Sequence, residues 1–154
     1  MGLGRTTRFA PLPPGARRVS VMRAGAGGVK ALAPSDDLLA EFLARKKALV
    51  RAGSTADAAH ADAHRAMGYR ARYLDEVGAR PEALAVLRAL LAEARDGDVY
   101  LMCMCGYRTP GRACHTYALL DLARELDPSV RELPEPAPRG AKKPKSGSGP
   151  NFGV

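Results

Sequence analysis

Residues 102–117 read MCMCGYRTPGRACHTY and hold all three cysteines of the chain and one of its three histidines. Sulfur and imidazole together suggest nucleophilic, redox or metal chemistry. If a strand runs through Cys105, Cys103 and Cys105 point to the same face, with Cα atoms ~6.6 Å apart at ~3.3 Å per residue. A relaxed disulfide wants Cβ atoms ~3.8 Å apart, which disfavours a 103–105 bridge. A bridge from either one to Cys114 stays geometrically open. Cys114 is expected in the first turn of a helix, where unpaired N–H groups and the helix dipole favour an anion. Arg108 and Arg112 in the preceding loop add positive charge. The spacing therefore nominates Cys114 as a reactive thiolate, with His115 and Cys105 beside it as the remaining catalytic candidates.

The same residues also suggest a metal site. Cys103, Cys105, Cys114 and His115 are four ligands of the kind zinc and iron sites use. C-x-C-x8-C-H is not a zinc-knuckle spacing, however, and adjacent residues on a helix diverge by about 100°. On that ground Cys114 and His115 are not expected to share an ion easily, and Cys103 also suits a small buried hydrophobe in a core strand. A phosphatase loop is excluded by one position. It would need arginine six residues after Cys105, where Gly111 stands, with Arg112 one later.

Two further pairs sit one helical turn apart. His60 and His64 lie among alanine and charge without an HExxH pattern, and read as a solvated face. Tyr69 and Tyr73 read as packing at the core edge, with Tyr73 a candidate for lining a ligand pocket.

The elements that must hold these residues can be read from periodicity and punctuation. RRVSVMRAG (17–25) is a strand bounded by glycines, and GAGG (25–28) after it lacks the order of a nucleotide-binding loop. A helix begins after Ser35, with Asp36 and Asp37 at its positive end and Gly53 beyond its close. A second is expected from Ser54 or Thr55 to Gly78, and a third from Pro81 to about Arg95. GDVYLMCM (97–104) is a nearly continuous apolar run, as in a buried strand ending near residue 105. ACHTYALLDLAREL (113–126) is the last helix, and SVREL (129–133) a short last strand. Strands separated by helices imply a small three-layer α/β domain with a short, mostly parallel sheet flanked by helices. Such sheets bind ligands beyond the carboxyl ends of their strands, and the cysteine stretch begins at one.

At 154 residues the chain suits one domain. No apolar run approaches the ~20 residues of a membrane span, and the first residues lack the apolar stretch of a secretory signal. Clustered cysteines fit a reducing compartment, so a cytoplasmic location is expected. The formal charge is +8 and is carried by the ends. Residues 1–33 have six bases and no acid, residues 139–154 four bases and no acid, and the span between is net −2. The expected organisation is a basic N-terminal arm (1–14), a single α/β domain (15–133) and a disordered basic tail (134–154). Such arms either keep the protein soluble or bind phosphate backbones in a salt-dependent way.

Four blocks carry a family resemblance. They are VSVMR (19–23), LAPSDDLLAEF (32–42), GYRARYLDEVG (68–78) and LRALLAEARDGDVYLMCMC with the following CHTYALL. In this order, across roughly residues 17–133, the chain resembles the YeaO-like family, known as domain of unknown function 488. Many members continue the Cys-His pair as Cys-His-Arg, where this chain has Thr116. The resemblance implies the α/β fold and places the site at the Cys-His pair.

The resulting expectation is a site at the carboxyl end of the 98–105 strand, centred on Cys105, Arg108, Arg112, Cys114 and His115, with Arg23 facing the same crevice. Arginine beside cysteine points to an anionic small molecule or a phosphate-bearing ligand. Three functional classes are consistent with this reading. They are a thiol-reactive or ligand-binding protein, a zinc or iron protein through Cys103, Cys105, Cys114 and His115, and a nucleic-acid-associated module using its basic arms.

Overall fold

The computed structural model describes residues 1–25 and 27–140. The expected α/β domain is present as a three-stranded sheet with five helices. The strands are β1 (Gly2–Thr7), β2 (Arg17–Ser20) and β3 (Asp98–Cys103). The helices are α1 (Asp36–Arg51), α2 (Ala56–Ala66), α3 (Tyr69–Gly78), α4 (Pro81–Asp96) and α5 (His115–Leu126). The strand order is β1-β3-β2, with β3 central and parallel to both neighbours.

Sequence punctuation sets most helix ends. The Ser35 hydroxyl accepts the Leu38 N–H at 3.1 Å, and Asp36 and Asp37 occupy the first turn of α1. Thr55 does the same for α2, accepting from Ala58 N–H at 3.2 Å. Pro81 opens α4 and Gly97 closes it. The single helix expected over 54–78 is instead two. Gly68 takes a left-handed conformation (φ 60°), which turns the chain between α2 and α3. The tyrosines of α3 thereby face inward on an axis separate from that of the α2 histidines.

The N-terminus departs further from expectation. Residues 2–7 are not an arm but an edge strand, in register with β3 from Gly2 opposite Asp98 to Thr7 opposite Cys103. GLGRTT lacks the alternating apolar pattern of a strand because two of its six residues are glycines held against neighbours. A Cβ on Gly4 would lie 2.9 Å from the Leu133 Cβ and 3.0 Å from the Tyr100 ring. The short last strand expected at 129–133 is reduced to one bridge, between Leu3 and Glu132, flanked by hydrogen bonds from Leu3 N–H to Arg131 O and from Leu133 N–H to Leu3 O. Of the tail expected from 134, residues 141–154 lie outside the described residues.

Side chains alternate across the sheet. Leu3, Val19, Val99 and Leu101 enter one core with residues of all five helices, among them Leu38, Phe42, Ala63, Tyr73, Leu87 and Leu119. Arg5, on the same face as Leu3 and opposite Leu101 in register, is carried into this interior at 1 % exposure. Among the described residues, no helix is long and apolar enough to cross a membrane.

Candidate thiol-imidazole centre

Strand β3 ends at Cys103 rather than Cys105. The chain then bends, so Cys105 returns toward its neighbour and the two sulfurs stand 3.8 Å apart. All three cysteines are free thiols. Their Sγ atoms all lie within 4.8 Å of one another, with Cys103 and Cys114 buried and Cys105 half-buried.

Cys114 is the N-cap of α5 and not part of its first turn. Its extended backbone (φ −150°, ψ 143°) removes the 100° divergence that helical neighbours would have. Cys114 and His115 therefore converge, with His115 Nδ1 3.9 Å from both Cys103 Sγ and Cys114 Sγ. The other ring nitrogen, Nε2, donates to the Val21 carbonyl at 2.8 Å. That bond accounts for the Nε2 proton and turns Nδ1 toward the sulfurs.

Electrostatics polarise the cluster. Burial opposes ionisation of Cys114, but hydrogen bonding with Cys103, Cys105 and His115 outweighs it and holds this thiol well below its ordinary value. Hydrogen bonding to Cys103 and Cys114, followed by burial, pushes Cys105 far up. Burial pulls His115 down, yet the Cys103 and Cys114 sulfurs prevail and lift it to about 10. Negative charge thus collects on Cys114 and positive charge on His115.

Behind Cys114 stand two buried polar residues. The Thr116 hydroxyl donates to Cys114 Sγ at 3.1 Å and accepts Arg5 Nε at 2.9 Å. Arg5 also donates to the carbonyls of Cys105 (3.4 Å) and Gly106 (3.2 Å) and to Thr109 Oγ1 (3.4 Å). One guanidinium therefore ties the loop that carries Cys105 to the helix start that carries Cys114. The Glu135 carboxylate pairs with Arg5, and the Cys114 and Glu135 charges favour its protonated form over the opposing effect of burial. Arg5 and Glu135 are absent from the sequence-based site because each was assigned to an arm or tail. The signal available was a lone arginine in a glycine-rich segment.

In front of the sulfurs lies a cavity of about 170 Å³ lined by Met22, Arg23, Phe42, His64, Tyr69 and Cys105, among others. Arg23 is among the lining residues and forms a two-point pair with Asp36 at 2.8 and 3.2 Å. Arg108 is exposed, with its guanidinium 5.1 Å from the Tyr107 ring centroid, in a groove beside Cys105. Arg112 does not face the sulfurs. Its guanidinium sits 4.4 Å from the Tyr117 ring centroid and pairs with Asp121.

Tyr73 does not line the cavity. It is fully buried, donates to Leu32 O at 2.5 Å and packs edge-on behind His115 with centroids 5.3 Å apart. Tyr69 lines the cavity instead. His60 and His64 are not a solvated face, because the turn at Gly68 lets α2 lay both against Phe42 and the cavity. His60 Nε2 donates to Ala113 O at 2.6 Å and lies 3.9 Å from Cys105 Sγ. His64 stacks on Tyr69 with centroids 4.5 Å apart, and burial lowers its pKa to about 4.

Five of the six N-terminal cations are engaged within the chain. Arg5 is buried, Arg17 pairs with Glu93, Arg18 donates to the Arg8 and Ala10 carbonyls, Arg23 pairs with Asp36, and Lys30 donates to the carbonyls of residues 22–25.

A small parallel α/β domain with a cysteine-histidine centre at the carboxyl end of its central strand is the class that fold and site define. The chain matches, over residues 15–126, the family model described as DUF488-N3a, the active DUF488-N3 subclade, and it belongs to that family of domains of unknown function. No curated protein matches the chain, and no solved structure does.

Proposed function

We propose that the protein is a metallo-protein of the zinc or iron class, with Cys103, Cys105, Cys114 and His115 Nδ1 as ligands and the aromatic cavity as the approach for a substrate or exogenous ligand. The observation that carries this reading is the mutual approach of three thiol sulfurs to within 4.8 Å of one another. A tetrahedral thiolate site with metal–sulfur bonds of about 2.3 Å has sulfur–sulfur edges of about 3.8 Å. Cys103 and Cys105 already stand at that separation. The His115 Nε2–H bond to Val21 O is the outer hydrogen bond that metal-binding imidazoles ordinarily carry. With all four ligands bound the site would be closed, so Lewis-acid chemistry toward a ligand entering over Tyr69 and Phe42 would require one of them to leave the metal.

Elemental mass spectrometry on untagged, reduced protein tests this directly. One equivalent of zinc or iron is expected, with loss in Cys105→Ser and Cys114→Ser. A metal-free wild type that does not take up added zinc or ferrous ion would sink the reading.

The second reading is a reactive thiolate at Cys114, favoured by the hydroxyl donor of Thr116 and by His115 beside the sulfur. A metal-free protein in which Cys114 alone alkylates rapidly near neutral pH supports it. For a partner, an anionic small molecule remains the proposal.

A further inference from the structure

Glu135 occupies what is built as an oxyanion site. Its carboxylate pairs with the Arg5 guanidinium, accepts the Arg108 backbone N–H at 3.0 Å and accepts the Tyr117 hydroxyl at 3.1 Å. Arg5 is 1 % exposed and itself donates to Tyr117 Oη at 3.1 Å. A buried guanidinium, a backbone N–H and a phenol converging on one point make up a receptor for a carboxylate or phosphoryl group. Arg108 has φ 48°, a left-handed conformation that a non-glycine residue adopts at a cost, and its N–H is one of the three donors to the carboxylate.

The occupant is tethered through its side chain alone. Among the described residues, the last backbone hydrogen bond of the C-terminal segment is from Leu133 N–H to Leu3 O. Beyond it, the Glu135 side chain makes every hydrogen bond that ties residues 134–140 to the domain. The carboxylate borders an open cleft of about 670 Å³ that also carries Arg108 and Arg112. Arg112 is paired with Asp121, and Glu132 in the same cleft with Arg124. Withdrawal of Glu135 leaves Arg5 without its carboxylate partner in a cleft wide enough for a small molecule.

We propose that this cleft, on the far side of Arg5 from the thiols, binds a small oxyanion through Arg5, the Arg108 N–H and Tyr117, and that Glu135 is its built-in competitor. The inference does not depend on a metal at the cysteines.

Calorimetric titration of orthophosphate into the full chain, at constant ionic strength with chloride as control, tests it. Glu135→Ala is expected to bind orthophosphate at least tenfold more tightly than wild type, and adding Tyr117→Phe is expected to reverse most of that gain. Acetate in a parallel titration separates a carboxylate preference from a phosphoryl one, and tighter binding of either anion supports the site. Glu135→Gln keeps the side-chain volume and decides the matter if the alanine variant does not fold. Folded variants that bind neither anion better than wild type would overturn the proposal. So would loss of folding in both variants, since Glu135 would then be a structural counter-charge.

Discussion

The Arg5 guanidinium donates to the Thr116 hydroxyl at 2.9 Å, and that hydroxyl donates in turn to Cys114 Sγ at 3.1 Å. A cation from the first strand thus reaches the Cys-His pair through Thr116, the residue that follows the pair. The hydroxyl polarised in this way stabilises negative charge on Cys114, whether that charge is a free thiolate or a metal ligand.

Thr116→Val keeps the shape of the side chain and removes the donor. Competition titration with cobalt(II) or zinc(II) is expected to show an affinity about tenfold lower, the lower end of what outer hydrogen bonds to metal ligands supply. Thr116→Ser is expected to recover most of it. Equal affinities in all three proteins would mean that the Thr116–Cys114 contact does not act on the metal.

Arg5→Met removes a charge that neutralises Glu135 and satisfies the loop carbonyls of Cys105 and Gly106. Breaking one partner of a buried pair costs about 3–5 kcal/mol, so urea unfolding is expected to show a loss of that order. Arg17→Met, which breaks a pair in which both side chains are about half exposed, is expected to cost under about 1 kcal/mol.

His64 gives a pH dependence of defined sign. Its pKa falls from an ordinary 6.5 to about 4 in the folded protein, chiefly through burial. The unfolded chain therefore takes up the proton first as pH falls, and stability present above pH 6.5 is lost progressively toward pH 4. Thermal melts of wild type and His64→Phe, which keeps a ring against Tyr69, are expected to diverge across that window, with the variant falling less. Parallel curves would contradict the assignment.

Gly4→Ala places a methyl group 2.9 Å from the Leu133 Cβ and 3.0 Å from the Tyr100 ring. Neither neighbour is the free end of a flexible chain, so β1 must shift. A loss of about 1–3 kcal/mol in urea unfolding is expected. Gly97→Ala, with open space around the added carbon, is expected to cost less.

Most helix ends were legible because their capping chemistry is local, while the break at Gly68 between α2 and α3 was not. Ser35, the paired aspartates after it, Pro81 and Gly97 mark helix ends whatever they pack against. Strand β3 was legible because it is apolar from Val99 onward. Strand β1 was not, because its inward residues are Leu3 and an arginine, and its outward ones include glycines chosen for what passes over them. The thiol cluster was legible as a set of residues but not as a geometry. A strand ending two residues early and an N-cap at Cys114 itself decide the convergence, and element ends are the least local feature a sequence carries. Glu135 was out of reach altogether, since a carboxylate in a proline-rich segment gives no sign of the guanidinium it meets 130 residues away.

The strand order has a consequence for how the chain is made. β1 and β2 are not hydrogen-bonded to each other; each joins the sheet through β3, and Gly2 finds Asp98 96 positions further along the backbone. During synthesis both early strands wait with open edges while α1 to α4 form from contacts within their own neighbourhood. The arrival of β3 closes the sheet. Its last residue, Cys103, is also one corner of the sulfur cluster, so completing the sheet fixes that corner before Cys114 arrives at the start of α5. An ion present at that moment would meet its ligands as they come together, and would favour the closed sheet over the open chain by mass action.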